Sequence, residues 1–267
     1  MKITTLVLPV AGMGKRLLPL TKTTPKNLVR VAGRPLLEYV LHEAVQSGIR
    51  EVVLIVNPAH RSAFERYLLL NKKRFPGLRF HVREQKTPGG NGHAIVQAYE
   101  LLKGKAFAVR FCDDVIIDKR PVIRSMVEIY NKYHAAILLL ERVPKNLVSR
   151  FGVVGIKRVD KRNPKDVEGP IYQVTKIVEK PKAKDAPSSL TIVGGYILTP
   201  EILRNLKSVS DTLPIIADDA LPLAVALQIE LILHGRVFGW EFTGRRLDCG
   251  TLEKLKKAEA FLEKGAF

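Results

Sequence analysis

Apolar residues in the first half of the chain come in short unbroken runs separated by stretches with a helical repeat. The runs "ITTLVLPV" at 3–10, "EVVLIV" at 51–56, "LRFHV" at 78–82 and "AFAVRF" at 106–111 read as buried strands. Between them, 35–47, 60–71 and 92–103 read as helices. The first is defined best: Leu36, Val40 and Ala44 form one i+4 row, Leu37, Leu41 and Val45 the adjacent row, and Gly48 stands where a left-handed cap belongs. Strands alternating with helices predict an α/β fold, a three-layer sandwich of Rossmann-like kind around a mixed, mainly parallel sheet.

After about residue 134 the rhythm changes. "AAILLLERV", "GVVGIKRV", "IYQVTKIVEK" and "LTIVGGYIL" predict a strand-rich lobe, arranged as a lid sheet over the first half, with helices returning at 200–206, 217–228 and 251–264. No repeat or flexible linker is visible, so 1–267 is read as one domain with lobes at 1–133 and 134–235 and a closing segment at 236–267.

The chain carries 44 Lys+Arg against 26 Asp+Glu, a formal charge of +18. That excess favours anionic partners in general. No stretch has the length and apolarity of a membrane span, and the start turns charged too early for a secretory leader, so a cytoplasmic protein without a membrane partner is expected. The positives lack the interleaved aromatics of a single-strand platform, which makes nucleic acid a secondary expectation. The two cysteines, Cys112 and Cys249, have no metal spacing.

Ligands of an open parallel sheet sit beyond the carboxyl ends of the strands. The first such loop reads "AGMGKR". Gly12 and Gly14 allow backbone N–H groups to approach phosphate oxygens, and Lys15, Arg16 and Lys26 would neutralise them. Neither the dinucleotide glycine pattern nor the Walker loop is satisfied, and a solvated loop is the plain alternative. In "FCDDVIID" a buried strand runs into Asp113 and Asp114, which can serve a metal–triphosphate or cap a turn. Asp248 in "LDCGT" is a further carboxylate or a helix cap. Gln85 and the glycines of "GGNGHA" can read a base edge. Glu179 and Lys180 of "VEKP" can meet a sugar phosphate or stand as solvated surface.

Taken together, "PVAGMGKRLLPLTKTTPKNL", "GGNGHA", "CDDV", "VEKP", "VGGYIL" and "DCGT" resemble, in order and over almost the whole chain, the nucleotide-sugar pyrophosphorylases, most closely the bacterial-type UTP:glucose-1-phosphate uridylyltransferases. The resemblance implies that UTP and a sugar 1-phosphate, glucose 1-phosphate first, yield a UDP-sugar and pyrophosphate, with Mg²⁺ as cofactor and a homo-oligomer as the assembly. It implies that Gly12 and Gly14 with Arg16 hold the triphosphate, Lys26 contacts phosphate, and Ala11, Gln85 and Gly90 face the uracil. Asp113 and Asp248 would bind Mg²⁺, while Glu179, Lys180 and Gly194 would face the sugar phosphate in the strand-rich lobe. Arg16, Lys26 and Lys180 carry the catalytic charge. Two departures stand out: Lys15 replaces the family's threonine, and "PIIADD" at 214–219 replaces a polar sugar-side segment. A dTTP-dependent transferase and a non-catalytic nucleotide-sugar or nucleic-acid binder are the alternatives left open.

Overall fold

The computed structural model describes residues 3–159, 162–212 and 221–264. The chain runs through β1 (Thr5–Pro9), a short ribbon of β2 (Arg30–Val31) and β3 (Arg34–Pro35), α1 (Leu36–Gln46), β4 (Glu51–Val56), α2 (Arg61–Asn71), β5 (Arg79–Glu84), α3 (Gly90–Val96), α4 (Tyr99–Leu102) and β6 (Phe107–Arg110). It continues through β7 (Asp114–Ile117), α5 (Val122–Tyr133), β8 (Ala136–Arg142), β9 (Gly152–Arg158), β10 (Ile171–Glu179), β11 (Leu190–Leu198), α6 (Pro200–Thr212), α7 (Leu223–His234), β12 (Val237–Glu241), β13 (Arg245–Asp248) and α8 (Leu252–Leu262).

Nine strands form one sheet in the order β5-β4-β1-β6-β11-β8-β12-β10-β9. β1 pairs in parallel with β4 and β6, β4 with β5, and β8 with β12, whereas β10 and β11 run against their neighbours. By direction the sheet is therefore mainly parallel. Alternate residues of each strand feed opposite faces, as pleating requires. Leu6 and Leu8 of β1, with Val52, Leu54 and Val56 of β4, pack with buried residues of α1, α2, α5 and α8. Val7, Val53 and Ile55 pack on the other side with those of α3, α4, α6 and α7. This is the three-layer sandwich that the apolar rhythm predicts.

The strand-rich second half is not a lid over the first. Its strands extend the same sheet edgewise, because β11 slots in beside β6 and accepts β8 on its far side. The expected helix at 92–103 is two: Gln97 and Ala98 donate to Ala94 and Ile95, i→i+3 bonds that tighten the backbone and end α3. The helix predicted at 200–206 continues to Thr212, and the one predicted at 217–228 is Leu223–His234, entered through Pro222, with 217–220 outside the described residues. Gly48 takes φ +74° and closes α1 as expected. Among the described residues no helix is long and apolar enough to cross a membrane.

Candidate active site

The parallel pairing of β1 with β6 delivers the loops after both strands to the same edge of the sheet. In the loop after β1, Gly14 is left-handed, φ +67°. A Cβ there would lie 2.9 Å from both Lys26 Cβ and Thr21 Cγ2, so glycine is required by conformation and by contact. The Gly14 carbonyl accepts from Thr21 Oγ1 at 2.9 Å and from the Leu17 N–H at 2.8 Å, folding the loop back on itself. A Cβ at Gly12 would meet nothing within 4 Å, so the backbone there faces open space.

The loop after β6 presents Asp113, whose Oδ2 receives Lys26 Nζ at 2.5 Å. Its carbonyl accepts from the Cys249 N–H at 2.7 Å. The companion ribbon β7–β13 sets Asp114 opposite Asp248. Around Gly250 these groups converge: a Cβ at that position would lie 3.0 Å from Asp248 Oδ1, 3.6 Å from Arg16 Nη2 and 3.8 Å from Asp113 Oδ2. Asp248 Oδ1 accepts from the Gly250 N–H at 2.8 Å, while Oδ2 receives Lys254 Nζ at 2.5 Å. Burial pushes the Asp248 carboxyl up, but hydrogen bonds from Lys254 and Gly250 overcome it and hold the group below the ordinary carboxylate range. The helix cap considered for Asp248 belongs instead to Thr251, whose hydroxyl accepts from the Lys254 N–H.

Asp114 faces a different way. Arg246 Nη1 donates to its Oδ1 at 2.8 Å and the Gly194 N–H to its Oδ2 at 2.9 Å, so both oxygens are engaged. Burial raises its carboxyl, with the Arg246 guanidinium pulling the other way. Arg246 also holds Glu141 at 2.7 Å and approaches Asp248 to 3.8 Å. Alternation along β13 puts Arg246 on the same side as Asp248, a signal that exists only once 245–248 is known to be a strand. Lys254, six residues beyond Asp248, carried no such signal.

A cavity of about 400 Å³ is lined by Arg246, Asp248 and Lys254 among others, and two more lie beside the loops that carry this centre. Of these two, one of about 380 Å³ is lined by Ala11, Gly12, Gln85, Gly90, Asn91 and Phe111 among others. Gln85 is 7% exposed, and its Nε2 donates to the Gly90 carbonyl at 2.9 Å and faces His93 Nδ1 at 3.2 Å. Its carbonyl oxygen has no partner among the described residues. Burial lowers the His93 pKa below its ordinary value, against a hydrogen bond to the Thr87 backbone. Gly90 sits at φ +86°. The second cavity, about 230 Å³, shares Asn91 and Phe111 with the first and adds Asp114, Glu179, Gly194 and Tyr196. Lys180 lines neither cavity: its side chain is 65% exposed and lies 3.7 Å from Glu179. Lys15 is exposed on the loop. The segment 214–219 lies outside the described residues.

The residues suit a divalent cation. Asp113 and Asp248 border one small volume, and each is met by a lysine ammonium. Among the described residues no group of three or more His, Cys, Asp or Glu is placed to hold a metal. A pair of carboxylates with the remaining positions left to phosphate and water is the donor set that Mg²⁺ takes.

The nucleotidyl transferase family model matches residues 5–265. The chain is 31% identical over 272 residues to the UTP-glucose-1-phosphate uridylyltransferase of Bacillus subtilis, covering 95% of this chain and 88% of that one. A protein of the same description from Komagataeibacter xylinus is 31% identical over 264 residues, covering 92% and 88%. Among solved structures, a UDP-glucose pyrophosphorylase complexed with UDP-glucose superposes with a TM-score of 0.84 at 31% identity, covering 98% of this chain and 99% of that one. A UTP-bound UGPase from Acinetobacter baumannii superposes with a TM-score of 0.78 at 29% identity, covering 97% and 93%.

Proposed function

The chain belongs to the nucleotidyl transferase family, and from that premise we propose that it joins UTP and glucose 1-phosphate to give UDP-glucose and pyrophosphate. A phosphate oxygen of the sugar 1-phosphate forms a bond to the α-phosphorus of UTP as the bond from that phosphorus to the bridging oxygen of the β-phosphate breaks. The electron pair leaves with pyrophosphate. The attacking phosphate is already ionised at neutral pH, so no protein base or covalent intermediate is required. What the protein must supply is alignment and positive charge.

The observation that carries this reading is the convergence of Arg16, Asp113 and Asp248 around Gly250, with Lys26 on Asp113. The open backbone at Gly12 leaves room for the triphosphate, and Arg16 and Lys26 meet its charge. Asp113 and Asp248 would hold Mg²⁺, which when bound neutralises the phosphate oxygens on which charge gathers. Gln85 commits its amide N–H groups to Gly90 and His93, which leaves its carbonyl to accept from the imide N–H of uracil. Across Phe111, Glu179 can accept from the hexose hydroxyls, and Gly194, without a side chain, leaves space in the same cavity.

The test is a matrix of nucleoside triphosphates against hexose 1-phosphates with Mg²⁺, scored by pyrophosphate release and product mass. UTP with glucose 1-phosphate should lead, and UTP or dTTP should outcompete ATP and GTP. A strong preference for ATP would overturn the assignment of Gln85.

A further inference from the structure

Arg110 interrupts the apolar run "AFAVRF" with a charge, yet it is 1% exposed. Each guanidinium nitrogen has a different acceptor. Nη1 donates to the Gly194 carbonyl at 2.6 Å, Nη2 to the Asp114 carbonyl at 3.0 Å, and Nε to Glu43 Oε2 at 3.3 Å. The other oxygen of Glu43 accepts from the Ile123 N–H at 2.9 Å, in the first turn of α5. We infer that Arg110, held from behind by Glu43, is a positioning residue that fixes the Asp113–Asp114 turn against the Gly194 segment. The inference rests on the roles given above to Asp113 and Gly194.

Gly194 belongs to a stretch of β11 whose register against β8 shifts between Ile192 and Tyr196, the irregularity by which a strand turns part of its backbone away from the ladder. Its carbonyl is satisfied by the Phe111 N–H at 2.9 Å and by Arg110. Gly195, opposite Arg110, is held to glycine by Leu139: a Cβ there would lie 2.9 Å from Leu139 Cδ2 and 3.1 Å from Leu139 Cβ, and in ordinary contact with Nη1 at 3.5 Å. One planar fork thus ties the turn that carries a proposed metal carboxylate to the segment that lines the sugar-side cavity. Stability alone does not account for it. A buried ion pair gives little net stabilisation over well-packed apolar side chains, and the rest of the strand is apolar. A rigid fork with several donors is what fixes two backbone carbonyls at a set separation.

The experiment compares the full chain with two variants, Arg110→Lys and the double variant Arg110→Met with Glu43→Gln. The first keeps the charge but not the fork. The second leaves no buried charge unpaired and carries the test if the first does not fold. Hydrogen–deuterium exchange should rise in peptides covering 111–117 and 190–198 and stay at wild-type level in β1 and β4. In the same proteins kcat should fall between about tenfold and a hundredfold, the range that a displacement near 1 Å produces. The KM for glucose 1-phosphate should rise while that for UTP moves less than about twofold. Wild-type exchange in both segments of a folded variant would overturn the inference, as would loosened exchange with unchanged kcat. If the wild-type protein released no pyrophosphate from any substrate pair, the proposed function would fail, and exchange would still decide whether Arg110 fixes the two segments.

Discussion

Gly12 and Gly14 stand two residues apart in one loop, yet alanine should act on them through different physics. At Gly14 an alanine must hold φ near +67°, a left-handed conformation that costs an L-residue about 1–2 kcal/mol. Its Cβ would also press on Lys26 Cβ and Thr21 Cγ2 at 2.9 Å, and Lys26 is tethered to Asp113. Overpacking of this kind costs about 1–3 kcal/mol. Part of the strain relaxes together, so Gly14→Ala should destabilise by about 2–4 kcal/mol. For a domain of this size that lowers Tm by roughly 5–15 °C. Displacing Lys26 should raise the KM for UTP as well. At Gly12 no positive φ is needed and no atom lies within 4 Å, so Gly12→Ala should change stability by less than about 0.5 kcal/mol. Its methyl group would nevertheless stand where the triphosphate approaches, and the KM for UTP should rise with Tm unchanged. Thermal unfolding without ligand, paired with initial rates over a UTP series, separates the two effects. A Gly14→Ala protein that melts with wild type, or a Gly12→Ala protein that melts as early as Gly14→Ala, would refute the account of the loop.

Asp113→Asn should keep the fold and lower kcat at least about a hundredfold, since metal assistance supplies several kcal/mol; titration with Mn²⁺ followed by EPR should show weakened binding, and normal Mn²⁺ affinity would discard Asp113 as a ligand. The KM for UTP should rise as pH falls below about 6.5, because protonation turns His93 Nδ1 from an acceptor into a donor facing the Gln85 amide. The sign follows from the lowered pKa of the folded state: the stability held by neutral His93 is complete above the unfolded-state value and is lost as pH falls through the folded one. A KM for UTP that stays flat from about pH 8 to pH 5 would remove His93 from base recognition.

How much of this was legible in the sequence depends on how far apart the interacting residues lie. α1 and the first strands follow from local periodicity, and the left-handed cap at Gly48 from the residue type that tolerates it. The position of Asp113 just beyond the end of β6 was readable because a carboxylate following a buried strand falls at the carboxyl edge of the sheet. The placement of β11 between β6 and β8 was not readable, because an apolar run does not declare its partner or direction. The same blindness turned an edgewise extension into an expected lid. β7, β12 and β13 are short, and their partners lie far away in sequence. Arg246 and Arg110 went unnoticed for a related reason: a lone arginine in a strand acquires meaning only from the acceptors that the fold brings to it.

The ribbon of β7 and β13 has a consequence for how the protein comes into being. As the chain is synthesised, the strand order leaves β6 as an open edge until Leu190–Leu198 emerges, and β8 waits for Val237–Glu241. Such long-delayed pairings make folding slow and leave nascent chains prone to sticking to one another. The same delay confers a safeguard. Asp113 emerges early, but the strand that brings Asp248 beside it is the last of the described strands to be translated. A chain arrested anywhere before residue 245 therefore carries Asp113 without Asp248, and the ribosome cannot display the two proposed metal carboxylates together until that strand has been made.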